Sequence, residues 1–357
     1  MKFLLIYVPN LRFLKFNQNY ETLQLKNTLK IKSGKDQKQV EVENGIYNIY
    51  GTGGIIGHTN TFLYDKESVG IGRKGTIDKP VYFDQPFWTV DTLFYSEIYE
   101  GFIPKYIFYL FQTINWKKYN TSTGVPSLTS SSIENIEKSF PCYDEQLKVA
   151  NFLTMIDMRI ETQIKIINDY KILKNHIIKS FIKQNGTSYL LLEIAELGRG
   201  RVINSAEISK QKNPIYPVYS SQTSNNGIMG YLDNYDYEGE YITWTTDGAN
   251  AGTVYYRNGK FNCTNVCGIL KIKNGYDAYY ISNILNCYTK KYVSTNLANP
   301  KLMNNVMANI KINLPSIEQQ KHSSKILQSI EYRVEIEEDI KLNLVKQKAF
   351  LLKNMFI

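Results

Sequence analysis

Two stretches of the chain carry a spacing of apolar residues that a long helix explains. From Val149 the series Val149, Leu153, Ile156, Ile160, Gln163, Ile167, Tyr170, Lys174, Ile177 and Phe181 advances by alternate steps of four and three. This is the seven-residue period of a helix that packs in coiled-coil fashion. A second series, Leu327, Ile330, Val334, Glu337, Leu344, Lys348, Leu351 and Met355, keeps the same period. Polar residues interrupt both at matching places: Gln163 and Glu337, then Lys174 and Lys348. The expected pairing set is Leu153, Ile156, Ile160 and Ile167 against Leu327, Ile330, Val334 and Leu351. Apolar residues off the seam (Phe152, Ile164, Ile166, Ile172; Ile326, Ile336, Ile340) call for a further partner. Ser316 with Gln319 three residues on is a capping box behind Pro315.

Ahead of each helix the pattern is different. Gly, Thr, Asn, Tyr and β-branched residues dominate, with turn signals at Gly51–Gly54, Asn225-Asn226-Gly227 and Asn258-Gly259. Short alternating stretches such as Thr253–Arg257 predict strands joined by irregular loops. The expectation is an α+β chain: mixed, loop-rich domains at 1–142 and 185–314, alternating with helices at 143–184 and 315–357 that form an antiparallel coiled coil.

The two halves repeat each other. Pro141-Cys142-Tyr143-Asp144-Glu145-Gln146 returns 174 positions later as Pro315-Ser316-Ile317-Glu318-Gln319-Gln320. Held at that offset without a gap, residues 106–179 and 280–353 agree at 17 of 74 positions, several times the number expected by chance. Tyr106/Tyr280, Pro126/Pro300, Leu128/Leu302 and Arg159/Arg333 are among them. Further upstream an offset of 173 aligns Gly54/Gly227, Gly57/Gly230 and Gly75/Gly248. So long a period is no solenoid; it is one whole unit present twice, related by a pseudo-two-fold repeat.

Composition narrows the class. Apolar residues at 43% and charged residues at 21% describe a folded chain. No apolar run reaches the roughly 18 residues of a membrane span, and the apolar start Met1–Val8 breaks at Pro9, so a cytoplasmic protein is expected. The role of Met1–Ile6 is not evident. The excess of 42 basic over 33 acidic residues, +9, permits an anionic partner and is spread along the chain rather than held in a tail. Any contact with nucleic acid therefore rests on local clusters. The 28 tyrosines suit recognition surfaces and sheet edges alike.

Signals for catalysis are weak. Gly70-Ile71-Gly72-Arg73-Lys74-Gly75 fits G-x-G-x-x-G, yet the residues after it read as strand, whereas a dinucleotide site needs a helix there. Asn213-Pro214-Ile215-Tyr216 faintly echoes a base-flipping motif but reads better as a turn into a strand. His58, His176 and His322 are isolated, and Cys142, Cys263, Cys267 and Cys287 have no metal-ligand spacing. No metal, no cofactor and no enzymatic activity of its own are expected.

Two loop-rich units, each followed by a long helix introduced by Pro-x-x-[DE]-[EQ]-Gln, resemble the specificity subunit of type I restriction–modification systems. The resemblance spans nearly the whole chain. It includes Val8-Pro9-Asn10-Leu11-Arg12-Phe13, Ile71-Gly72-Arg73-Lys74-Gly75-Thr76 and Ile242–Gly252. It implies that each globular domain reads one half of a split target in double-stranded DNA, while the helices set the spacing. It further implies two methyltransferase subunits that bring S-adenosylmethionine, and restriction (translocase) subunits. Base edges call for polar side chains on loops, and phosphates for basic ones. Candidate readers are Thr52, His58, Arg73, Lys74, Thr76 and Lys79 in the first domain. In the second they are Ser221, Gln222, Thr245, Thr246, Asn250, Tyr255 and Arg257. The alternative is a protein–protein scaffold without DNA readout; a mimic of DNA would be acidic, and this chain is basic.

Overall fold

A computed structural model describes residues 9–294 and 299–357, so Met1–Ile6 lie outside the described residues. The chain divides into two compact units. One comprises residues 1–165 with 338–357, the other residues 166–337. Each unit holds a globular body and a part of both long helices.

In the first unit, strands Leu29–Ser33, Leu93–Ile98, Ser68–Gly72 and Val81–Phe83 form an antiparallel sheet in that spatial order. Its inner strand Ser68–Gly72 is wholly buried, and Val69, Ile71 and Phe94 share a core with Tyr106, Ile107, Leu110 and Phe111 of the helix Pro104–Thr113. A second sheet runs Glu41–Val42, Gly54–Thr59, Tyr47–Gly51, Phe87–Thr89; its last pair is parallel. Strands Glu21–Gln24 and Glu137–Phe140 pair where the chain enters and leaves this body.

The second unit repeats this plan. Strands Ala195–Arg199, Cys267–Ile272, Tyr241–Thr245 and Val254–Arg257 make the first sheet. The helix Ala278–Tyr288 packs on it, and Thr187–Leu190 pairs with Lys311–Leu314. The other sheet runs Ile228–Leu232, Tyr216–Tyr219, Lys260–Cys263, Tyr237–Glu238, again with one parallel pair, here the central one. One difference stands out: the two-residue edge strand flanks opposite ends of this sheet in the two copies. The run Gly70–Gly75 leaves a strand and leads toward Val81–Phe83, and Asn213–Tyr216 leads into Tyr216–Tyr219, so neither opens a helix.

The long helices cover Tyr143–Ile182 and Ile317–Met355. Within the first unit, Val149, Leu153 and Ile156 share a core with Met355 and Phe356, and Lys348 pairs with Asp157 at 2.6 Å. Within the second, Ile178 and Leu327 share a core, and Lys174 pairs with Glu331. In both units the segments run antiparallel. Leu153, Ile156, Ile167, Leu327 and Ile330 are buried; Ile160, Val334 and Leu351 are half-buried. The two seam lysines are thus explained. Lys174 and Lys348, like Asp157 and Glu331, are repeat counterparts, and each lysine meets the acidic residue of the other helix. Of the other two interruptions, Gln163 is buried and Glu337 pairs with Arg333 one turn earlier, at 2.6 Å.

The proline-glutamine motif has a mechanical role, performed twice. Gln146 is buried, donates through Nε2 to the Pro141 carbonyl (3.1 Å) and accepts from the Ile103 N–H (3.1 Å). Gln320 donates to Pro315 (2.9 Å) and accepts from the Asp277 N–H (3.1 Å). Ile103 and Asp277 are the cap residues of the two domain helices. Each glutamine therefore fastens the start of a long helix to the start of a domain helix. The Ser316–Gln319 capping box forms, with reciprocal bonds of 3.3 and 3.1 Å. In the first copy Glu145, buried, is drawn instead to Arg12 by two hydrogen bonds of 2.8 and 2.7 Å. The opening motif is thereby a latch: Arg12 holds Glu145, Phe13 meets Phe152 edge-on, and the Leu11 N–H donates to Asn354.

Candidate nucleic-acid interface

In each unit three loops lie together beyond the end of an inner strand of the first sheet, Ser68–Gly72 in one and Tyr241–Thr245 in the other. In the first unit the Arg73–Lys79 loop is tied to the loop before Leu128: the Gly75 N–H donates to the Pro126 carbonyl (2.9 Å) and the Leu128 N–H to Arg73 (2.9 Å). In the second unit Gly248 donates to Pro300 (3.0 Å) and Leu302 to Thr246 (2.8 Å). These are the same bonds between repeat counterparts. Gly75 and Gly248 sit at φ 86° and 94°, where a side chain is strained, which is why both copies keep glycine there. The third loop is the tip Gly51–Gly54, whose Thr52 hydroxyl approaches Gly75; its counterpart is the turn Ser220–Gly227.

That turn is unusual. Asn225 and Asn226, at φ 49° and 51°, precede Gly227 at 82°, so three successive residues are left-handed. Such a conformation persists only where its surroundings over-determine it. Here Arg257 Nη2 donates to the Asn226 carbonyl (2.8 Å), Gln222 Nε2 holds the Ile228 carbonyl, and Asn250 Nδ2 reaches Thr223 Oγ1 (3.2 Å). The Asn225 and Asn226 side chains remain exposed.

The candidate readers separate by accessibility. His58, Lys74, Lys79 and Asn250 are exposed; Thr52, Arg73, Thr76, Ser221, Gln222 and Tyr255 are half-buried. Arg73 lies with Lys74, Ser127, Thr129 and Ser130 along a groove, its Nη1 3.4 Å from the Asp91 carbonyl. His58 lies in the strand Gly54–Thr59, away from the loop tip. Three candidates are buried in this structure. Thr245 and Thr246 are buried, and the Thr246 hydroxyl is spent on Asp247 (2.5 Å) and the Val266 carbonyl (2.9 Å). Arg257 is only 7% exposed. Its guanidinium lies over the rings of Tyr219 (3.5 Å) and Tyr255 (4.4 Å) and bonds to Thr243 Oγ1 (3.2 Å). Aromatic faces replace much of its lost water, yet burial still pulls its pKa below the ordinary arginine value. It supports the turn from beneath, joining the two sheets of its unit.

Residues that the sequence does not single out lie beside these loops. Asn225 and Asn226 were visible only as turn formers. Arg199 and Lys301 both flank Asp247, at 3.6 and 3.7 Å, close to the Gly248 loop. Among the described residues no group of three or more His, Cys, Asp or Glu could hold a metal ion, and no helix is long and apolar enough to cross a membrane.

Two copies of one loop platform stand each on its own sheets and helix segments, so the chain is a duplicated loop-bearing unit. The chain belongs to the type I restriction modification DNA specificity domain family, whose sequence model matches residues 17–169 and 187–347, one match per copy. A Mycoplasma pneumoniae chain assigned as type I specificity subunit S.MpnORF365P is 36% identical over 224 residues, 60% of this chain and 82% of that one. The type I restriction enzyme MpnII specificity subunit of the same organism is 42% identical over 146 residues, 40% of this chain and 43% of the other. In fold, the S subunit of a type I system from M. genitalium superposes with a TM-score of 0.69 at 17% identity, covering 98% of this chain and 99% of that one. Members of this family select the target and do not themselves catalyse.

Proposed function

We propose that each globular domain, 1–142 and 185–314, reads one half of a bipartite site in double-stranded DNA, and that the helices 143–184 and 315–357 fix the distance between the halves. The observation that carries this reading is the doubled platform, in which identical backbone bonds (Gly75 to Pro126, Gly248 to Pro300) carry different polar side chains. A common scaffold with divergent exposed groups is what two readers of different sequences need. In the first domain the readers are drawn from Thr52, Arg73, Lys74, Thr76 and Lys79. In the second they are Ser221, Gln222, Asn225, Asn226 and Asn250, with Arg257 and Tyr255 as supports.

The methyl donor, S-adenosylmethionine, and the chemistry belong to two methyltransferase subunits that dock on this chain; restriction (translocase) subunits join them. Exposed apolar residues on the helices, among them Met155, Met158, Tyr332, Leu342 and Phe350, supply surface for that docking.

Replacing residues 185–314 with the corresponding domain of a relative tests this reading. Mapping of methylated bases should show one half of the target changed and the other retained. Loss of both halves together would contradict independent readers.

A further inference from the structure

After each domain helix the chain makes a single 3-10 turn, Trp116–Tyr119 in the first unit and Thr289–Tyr292 in the second. Three of the four residues are the same: Lys117-Lys118-Tyr119 and Lys290-Lys291-Tyr292. The residue that anchors each turn has changed. Trp116 is buried and donates Nε1 to the Phe111 carbonyl (2.9 Å); Thr289 is buried and donates its hydroxyl to the Gly252 carbonyl (2.6 Å). Packing has thus diverged while the outward lysine pair has not. All four lysines are exposed, so burial does not account for their retention.

Both turns lie against the recognition loops. Lys117 reaches Asp78 of the Arg73–Lys79 loop at 3.5 Å while remaining 78% exposed. Thr289 holds the end of the Gly248 loop, and Val293 lies within 2.9 Å of where a Cβ on Gly252 would stand. Among the described residues no carboxylate lies within ion-pair distance of Lys118, Lys290 or Lys291.

We propose that Lys117-Lys118 and Lys290-Lys291 are sequence-independent phosphate anchors, one pair per domain, that hold the DNA backbone against each set of reading loops. This rests on the reading of the two domains as DNA readers. If the domains read different half-sites, their base-contacting residues must differ, and exposed groups held in common belong to what every sequence shares, the phosphate backbone. A lysine ammonium on a short rigid turn is a point charge suited to a phosphate oxygen.

The test uses the full chain assembled with its methyltransferase subunits. Binding to the mapped target duplex and to a scrambled duplex is measured by fluorescence anisotropy across a salt series. The variants are Lys117→Ala/Lys118→Ala, Lys290→Ala/Lys291→Ala, and the same pairs changed to arginine. Each alanine pair should weaken both duplexes by the same factor and reduce the log–log salt slope by about 1.8. A fourfold rise in salt would then weaken the variant about tenfold less than the parent. The methylated sequence should not change, and the arginine pairs should bind as the parent does. An unchanged slope overturns the proposal. So does a loss confined to the target duplex, which would make these lysines readers, or a loss of methyltransferase association at unchanged slope, which would make the turn a protein-docking site. Equal binding of both duplexes by the parent would instead remove the recognition reading, while the slope still decides the role of the lysines.

Discussion

Gln146 uses both ends of its amide, and so does Gln320. Truncation leaves a buried N–H and a buried carbonyl without partners, and each such loss costs about 1–3 kcal/mol. Gln146→Ala and Gln320→Ala should therefore each destabilise the protein by about 2–4 kcal/mol, read as a lower urea midpoint at unchanged slope. A midpoint within error of the parent would show that the clamp is dispensable. The motif was legible because it is repeated, but its partners were not: Ile103 and Asp277 offer only backbone N–H groups, which leave no mark in a sequence. The burial of Arg257 is not legible for a related reason. A buried arginine is usually betrayed by a nearby carboxylate, and here two tyrosine rings, a hydroxyl and a carbonyl take that place. Thr245 and Thr246 are short enough to be satisfied inside, so their type alone did not decide their side of the sheet.

Among the elements, the long helices were the most legible, since only a helix turns a seven-residue period held over ten positions into one continuous apolar stripe. The lysine interruptions were visible too. Asp157 and Glu331, each one residue after a seam isoleucine, were not recognised as their partners. Half-exposed ion pairs of this kind contribute about 1 kcal/mol or less, so their value lies in fixing register within each unit. The sheets were less legible, because the parallel pairings of Tyr47–Gly51 with Phe87–Thr89 and of Tyr216–Tyr219 with Lys260–Cys263 join segments distant in sequence. The Lys-Lys-Tyr turns are hidden in the sequence repeat, because a gapless offset of 174 sets Lys117 opposite Lys291, while the turns themselves match at 173. If the helices set the spacing, inserting four residues after Lys165 and four after Glu337 lengthens both by about 6 Å and adds about 40° of rotation. Both ion pairs stay within their own units. The gap between half-sites should grow by one or two base pairs, at about 3.4 Å each, with both half-sequences kept. Full-rate methylation at the original spacing would refute the idea.

At the scale of the molecule, the repeat announced two copies, and the family assignment agrees with that count. The compact units are nevertheless drawn differently from the consecutive segments that the hydrophobic pattern suggests, since each takes part of both helices. In the first unit residues 338–357 contribute Met355 and Phe356 to the core, the Lys348–Asp157 pair and the Ile357 carbonyl that accepts from Lys138 (3.1 Å). Removing 338–357 should cost that unit about 5 kcal/mol or more through the lost core side chains alone. Hydrogen exchange should then show protection lost across residues 9–165 and kept across 166–337. Uniform loss throughout would mean that the two units fold as one.

The same division has a consequence for synthesis. The second unit is one uninterrupted stretch, complete once residue 337 has left the ribosome, whereas the first still lacks its closing helix segment at that moment. The half of the protein translated first is thus the last to be finished. Until then its core lacks Met355 and Phe356, and the apolar surface that they cover is open to water, where a nascent chain is prone to aggregate.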